Sequence, residues 1–380
     1  HRRLYTVTSE FSNSGTPTFT APQTGQSHQD VVYEWLVDAN DPNTVDTSTR
    51  RELIRTRQPR VDHNLNQLAF GPDGYLYIVM GDGGNTVASS EHAQQLDNAF
   101  GKVLRIDVDM LPANTPSANN QYAIPADNPF LNTPGALPEI FAYGLRNPYR
   151  LAFDDATGAL YVSDVGQRSV EAINRITPGA NYGWNLKEGS FLYDPAINFS
   201  GPRNSVLPDL PDANGETLAD REGLTDPLAE YDHLEGRSVT GGHVARDTHP
   251  AIEGLYIFGD FIFGRLFAID ADAPPARSAA APVTEFTIDT DGPPLPQRIY
   301  SIGRDEQGHI YILGGPASGA DGVVLRIAAA TAPPAPCPGD YNADSVVDFA
   351  DLSLILNGFG DEYGFEDLST VLANFGATCE

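Results

Sequence analysis

"FGPDGYLYIVMGD", residues 70–82, reads as a polar turn followed by a short strand. Gly71-Pro72-Asp73-Gly74 supplies the residue types that close a reverse turn. Tyr75 to Met80 then sets a Tyr inside an aliphatic alternation, which suits a pleated, buried surface. The unit recurs as "FDDATGALYVSDVG" at 153–166, "EGLYIFGDF" at 253–261 and "IGRDEQGHIYILGG" at 302–315. In three cases a second strand follows: "GKVLRIDVD" from Gly101, "GRLFAID" from Gly264 and "GVVLRIA" from Gly322. Strand pairs repeated along a chain, with turns between them, predict radial repetition of small antiparallel sheets, an all-β propeller. A β-sandwich also uses short strands, but it has no need of one strand-pair motif several times over. No long amphipathic helix is legible before residue 340.

Composition agrees. The 380 residues suffice for one large domain and a small one, and 36 Gly with 30 Pro suit many turns. The net charge of -28, from 51 acidic against 23 basic residues, excludes nucleic acid as an expected partner, because phosphate binding needs a basic surface. Surplus carboxylates serve a solvated surface, Ca²⁺ binding, or both. No apolar run is long enough to span a bilayer. The opening "HRRLYTVTSEF" lacks signal-peptide architecture, so either no leader exists or the sequence begins after it. The two cysteines, Cys337 and Cys379, flank the last segment. A staple across one small module implies an oxidising compartment and hence export, with two unpaired thiols as the alternative.

Long irregular stretches at 111–139 and 191–226 predict loops that cover one face of the scaffold. "AAATAPPAPCPG", 328–339, marks a boundary. The expected domains are a propeller over 1–328, a Pro-rich linker over 329–339 and a small module over 340–380. In that module "FADLSLILNGFG" (349–360) and "FEDLSTVLANFG" (365–376) are two copies of one short helical motif. Ahead of the first copy, Asp340, Asn342, Asp344, Asp348 and Asp351 fall at positions 1, 3, 5, 9 and 12 of an EF-hand-type loop, with the Val346 carbonyl at position 7. Ser345 replaces the usual Gly and Asp351 the usual Glu, and the second copy has no acidic ladder, so one Ca²⁺ is expected. The duplicated loop and helix resemble a dockerin-type module, which implies attachment to a cohesin-like protein. The bland alternative is a stabilising tail without a partner.

In the main domain, His63 precedes one strand of the opening unit and Asp82 ends it. A carboxylate beside an imidazole fixes the tautomer and raises the basicity of the other nitrogen, as a base that removes a hydroxyl proton requires. By itself such a pair is more often a structural hydrogen bond.

The motifs "HNLNQLAFGPDG", "GKVLRID", "YGLRNPYRLAFD", "LYVSDVGQ", "NYGWNLKEG", "SVTGGHV" and "LYIFGDFIFGRLF" run in the order found in the glucose/sorbosone dehydrogenase family, and the resemblance covers nearly all of residues 1–328. It implies a six-bladed propeller, its first blade either complete or incomplete, that uses pyrroloquinoline quinone (PQQ) and Ca²⁺ to oxidise a sugar and passes electrons to an external acceptor. By position it implies His63 as general base, Asp82 as its orienting carboxylate and Arg146 as the cation at the reacting quinone carbonyl. It also implies Asn147 and Arg298 as cofactor contacts, and the Gly166 and Gln167 carbonyls as ligands of the cofactor's Ca²⁺. Two positions depart from the family: Ile262 stands where a Lys is expected, and Tyr300 where a second Arg is expected. Those losses favour a second reading, an extracellular propeller that binds a glycan or protein and has lost the quinone. A lactone hydrolase is a weaker third reading.

Overall fold

The computed structural model describes residues 2–20, 28–84, 90–197, 205–246, 250–272, 283–285, 288, 295–318, 321–328, 338–339, 341, 346–357 and 365–376. The chain forms two compact units, His1–Ile327 and Ala328–Glu380.

The first unit is built from small, mostly antiparallel sheets that follow one another along the chain. In spatial order, the first contains Arg3–Phe11, His28–Val37, Val45–Gln58 and Phe19–Thr20. The second contains Ile140–Tyr143, Lys102–Ile106, Leu76–Met80 and Leu65–Phe70. The third contains Pro148–Phe153, Leu160–Asp164, Val170–Ile176 and Ala229–Asp232. The fourth contains Val239–Val244, Leu255–Asp260, Leu266–Asp270 and Thr284–Glu285, and the fifth Arg298–Arg304, Ile310–Gly315 and Val323–Arg326. A short sheet of Lys187–Glu188, Phe191–Tyr193 and Val206–Leu207 decorates them. The four repeated strands and their three followers thus occupy corresponding places in the second to fifth sheets. The described residues contain five blade-like sheets, against the six that the family resemblance implies, and the first of the five has a full four strands.

The turn of the opening stretch forms as its residues dictate. The Gly71 amide donates to the Tyr75 carbonyl at 2.9 Å, the Gly74 amide donates to the Gly71 carbonyl at 2.9 Å, and Gly74 sits at φ 82°, where a side chain would be strained. Every residue of Leu76–Met80 is buried, because sheets cover it on both faces. Core layers lie between successive sheets: Ile54, Ile78 and Leu104, then Tyr77, Val79, Leu151 and Val162, then Tyr161, Tyr256 and Phe258, then Ile257, Ile299 and Ile312. Full burial of each such side chain stabilises the fold by about 1.5–3 kcal/mol.

One irregularity repeats in four sheets. Pairing skips a residue between Leu65 and Gln67, between Pro148 and Arg150, between Val239 and Gly241, and between Ile299 and Ser301. A bulge of this kind bends the strand and re-aims what precedes it. Two residues before each bulged pair stand His63, Arg146, Arg237 and Gln297. Two residues past the pairing partners Met80, Asp164 and Asp260 stand Asp82, Gly166 and Ile262. His63 and Arg146, and likewise Asp82 and Gly166, therefore fall at equivalent points of the repeat.

In the second unit, helices Phe349–Asn357 and Phe365–Asn374 pack around Val347, Ile355 and Val371. Asp351 is fully buried and accepts the amides of Tyr341 (2.7 Å) and Asp348 (2.9 Å). Asp340, Asn342, Asp344, Cys337 and Cys379 lie outside the described residues. Among the described residues, no group of three or more His, Cys, Asp and Glu side chains is placed to hold a metal.

Candidate active site

His63 occupies the left-handed backbone region at φ 52°, uncommon for a residue with a side chain and typical of functional sites. Gly81 makes room for it: a Cβ there would fall 2.4 Å from the His63 carbonyl oxygen. The imidazole Nδ1 lies 2.6 Å from Oδ1 of Asp82, which is fully buried. That contact places the ring proton on Nδ1 and leaves the lone pair on Nε2. Asp82 Oδ1 also accepts the Gly84 amide at 3.0 Å, and Oδ2 accepts the Trp184 indole N–H at 2.8 Å. Three donors thus fix the carboxylate that orients the imidazole.

Arg146 is held as closely. Its Nε (3.0 Å) and Nη2 donate to Gln167 Oε1, and Nη1 donates to the Val165 carbonyl at 2.8 Å. Of five guanidinium N–H groups, two have no acceptor among the described residues. The guanidinium lies 5.5 Å from the Trp184 ring, so Trp184 touches both Asp82 and Arg146. Behind them, Asp164 accepts the amides of Arg146 (3.0 Å) and Asn147 (2.7 Å). Burial pushes the Asp164 carboxyl up to about 7 against these amides and the Arg146 charge. Asn147 Oδ1 accepts from Asn66 at 2.9 Å.

The loop carrying Gly166 and Gln167 wraps around a carboxylate. Glu188 is buried, and its Oε1 accepts the amides of Gln167, Arg168 and Ser169 at 2.8 Å each and of Val170 at 3.1 Å. The Gly166 amide lies 3.3 Å from Oε2 of buried Glu171, which also accepts Val239 N at 3.0 Å. With these amides turned onto carboxylates, the Gly166 and Gln167 carbonyls have no donor among the described residues. Only glycine fits position 166, since a Cβ would lie 1.8 Å from the Val170 carbonyl oxygen. Gly166→Ala should therefore displace the loop, and with it the Gln167 contact to Arg146, at a cost of about 2–3 kcal/mol. A melting curve within 1 °C of wild type would contradict that packing.

Arg298 contacts neither His63 nor Arg146. Its guanidinium lies 4.8 Å from the Phe261 ring, and its buried Nε has no hydrogen-bond partner among the described residues. Phe261 in turn meets Tyr300, ring centroids 5.8 Å apart. Ile262 and Tyr300 are exposed, so neither unexpected residue is a core substitution. No lysine replaces them. The chain's two lysines are both buried: Lys102 donates to the His92, Ala93 and Phe100 carbonyls, and Lys187 pairs with Asp209 and Asp226.

The structure thus brings His63, Asp82, Arg146, Asn147 and Gln167 into one network and sets Arg298 in its own aromatic surroundings. Sequence reasoning missed Asp164, Trp184, Glu171 and Glu188. "NYGWNLKEG" belongs to the family's motifs, yet nothing in it says that Trp184 reaches back over 102 residues to Asp82.

The glucose/sorbosone dehydrogenase family description matches residues 6–324. The Arabidopsis thaliana HIPL1 protein is 31% identical over 78% of this chain, which spans only 45% of that relative's length. The human Hedgehog-interacting protein is 41% identical over 32% of this chain and 17% of its own. A solved structure of the PQQ-bound aldose sugar dehydrogenase from Streptomyces coelicolor shares the fold, with a TM-score of 0.52, 24% identity and coverage of 86% of this chain and 75% of that one. On the match over 6–324, this chain belongs to the glucose/sorbosone dehydrogenase family.

Proposed function

We propose that the first unit oxidises an aldose to its lactone, using PQQ and an external electron acceptor, in an exported protein. The observation that carries this reading is His63 Nδ1 held 2.6 Å from a fully buried carboxylate, with Arg146 joined to the same network through Trp184. The family's name and the PQQ-bound relative support the cofactor. The residues present fit it. The Gly166 and Gln167 carbonyls, without donors among the described residues, suit a hard cation such as Ca²⁺. The two N–H groups of Arg146 without acceptors among the described residues, and the Arg298 guanidinium, suit anionic oxygens, with Asn147 beside Arg146. The scaffold is taken as six-bladed, five blades lying within the described residues.

When bound, the quinone supplies the hydride acceptor. His63 Nε2 takes the proton of the sugar's anomeric hydroxyl. Asp82 keeps the other ring nitrogen protonated and stabilises the imidazolium that forms. Arg146 offers preorganised donors to oxygen as negative charge develops on it. The test is reduction of an electron-accepting dye by the full chain supplied with PQQ and Ca²⁺, across a panel of aldoses. Sugar-dependent reduction is expected, and bound quinone with no reduction by any sugar would refute it.

A second reading, an extracellular propeller that binds a glycan or protein, is favoured by one observation. Both lysines are buried and internally paired, so the lost Lys at position 262 has no lysine substitute. The Hedgehog-interacting relative, named for a protein partner, points the same way.

The second unit is proposed as a dockerin-like module that binds one Ca²⁺ through Asp340, Asn342, Asp344, Val346, Asp348 and Asp351, is closed by a Cys337–Cys379 disulfide, and attaches the enzyme to a cohesin-like protein. A unit this small needs such staples. Excess EDTA should abolish an early melting transition belonging to residues 340–380, and Ca²⁺ should restore it. An unchanged thermogram would count against the metal.

A further inference from the structure

We propose that Glu188 is the positioning residue of the cation-binding loop, and that the segment Asn181–Gly189 locks this loop to the His63–Asp82 pair. The inference rests on the reading above, in which the Gly166 and Gln167 carbonyls hold the Ca²⁺ that accompanies the quinone. Four consecutive amides, Gln167 to Val170, converge on one oxygen of a buried carboxylate. Consecutive amides gathered in this way form a concave anion nest, and here the anion is the protein's own side chain. Ser169 and Val170 are buried, whereas Arg168 is exposed and Gln167 partly so, so the carbonyl-bearing end of the loop lies toward the surface with less packing to fix it. The carboxylate does that work electrostatically, and charge-assisted hydrogen bonds are about twice as strong as neutral ones.

The same segment has a second hold. Trp184, four residues before Glu188, donates to Asp82 Oδ2 and lies against Arg146. Its carbonyl accepts Gln94 Nε2 at 2.6 Å, and Asn181 Nδ2 donates to Gln94 Oε1 at 2.8 Å. At the far end, the Ser190 amide and hydroxyl both donate to Glu230, at 2.8 and 2.6 Å. The Glu188 backbone belongs to the ladder with Phe191, so its side chain starts from a fixed strand. One short segment therefore sets the base, the arginine and the loop in a common frame. Glu188 is buried, with its Oε1 committed to the loop amides, and it acts through the direction of the two carbonyls.

The experiment uses the full chain with Glu188→Ala and Glu188→Gln. Amide hydrogen exchange of the 166–170 peptide is measured without PQQ, and the Ca²⁺ concentration that gives half-maximal PQQ binding is measured separately. For Glu188→Ala, exchange at Gln167–Val170 should accelerate at least about 10-fold and the Ca²⁺ requirement should rise about 10- to 100-fold, the usual effect of losing a residue that supports a metal ligand. Exchange in Leu76–Met80 should stay at wild-type rates. Glu188→Gln keeps an acceptor oxygen and loses the charge, so it should fall between wild type and Ala on both measures. It also serves as the test if the Ala variant does not fold. A loosened loop with an unchanged Ca²⁺ requirement would overturn the proposal and leave the quinone reading intact. A wild-type chain that binds no PQQ at any Ca²⁺ concentration, with the loop protected, would overturn both.

Discussion

His63→Asn should lower sugar-dependent dye reduction by about 100- to 10,000-fold, the range typical of losing a general base, while the melting temperature falls by no more than a few degrees. Asn is the informative replacement. It tolerates the left-handed backbone at φ 52°, which Ala does not do well, and its side-chain amide can still donate toward Asp82. Asp82 retains the Gly84 amide and the Trp184 indole as donors in any case, so its buried charge is not stranded. The loss thus falls on proton transfer rather than on folding. PQQ affinity should change less than threefold, because the imidazole is assigned to the sugar. A variant with near-normal turnover would show that His63 is a structural partner of Asp82. One that loses stability and activity in step would show the same.

Lys102→Met should destabilise the first unit by roughly 1–2 kcal/mol, although it inserts an apolar side chain of similar length into the core. The ammonium is fully buried and donates to the carbonyls of His92 (2.9 Å), Ala93 (3.0 Å) and Phe100 (2.6 Å). Met leaves the Phe100 carbonyl with no donor among the described residues, at a cost of about 1–3 kcal/mol, while the His92 carbonyl keeps the Gln95 amide (3.2 Å) and the Ala93 carbonyl the Gly144 amide (3.1 Å). Relief of the buried charge offsets part of this. The carbonyls belong to the 3-10 turn Ser90–Ala93 and to the approach to Lys102, and His92 lies against the Asp82 backbone, so the damage should reach the site.

The pH dependence gives a sharper signature. Burial lowers the Lys102 pKa to about 7, far below the ordinary lysine value. Above pH 7 and up to the ordinary value, the unfolded chain holds a proton that the folded chain releases. The unfolded state binds more protons in that window, so the Lys102 contribution to stability rises with pH. Denaturant midpoints of wild type minus Lys102→Met should therefore increase from pH 7 to 9.5. A difference that stays flat or falls would mean that the lysine keeps its charge in the core.

How far the fold was legible depended on residue type and register. The four repeated strands were readable because turn residues bound each one: Gly71 to Gly74 ahead of Leu76–Met80, and Gly308 ahead of Ile310–Gly315. The first sheet is legible only through the family resemblance, which makes Arg3–Phe11 an early blade strand, since Arg3–Phe11 and Val45–Gln58 are rich in Thr, Arg and Glu and carry no comparable signature. His63, Asp82 and Arg146 were legible through their motifs. Glu188, Glu171, Asp164 and Lys102 were not. A charged residue in a strand reads as a solvated face, and these are buried only because backbone amides or carbonyls from other segments converge on them. Such convergence is a property of tertiary packing, invisible in local spacing. The bulges that place His63 and Arg146 at equivalent points of the repeat were equally hidden, because the extra residue shows only against its partner strand.

The most direct test of the account is titration of PQQ into the purified full chain with Ca²⁺ present, followed by isothermal calorimetry or quinone absorbance, alongside an Arg146→Ala variant. Saturable binding at one PQQ per chain, weakened about tenfold or more in the variant and dependent on Ca²⁺, is the predicted result. A folded wild-type chain that shows no saturable binding would contradict it, and the His63–Asp82–Arg146 network would then be the remnant of a quinone site on a binding propeller.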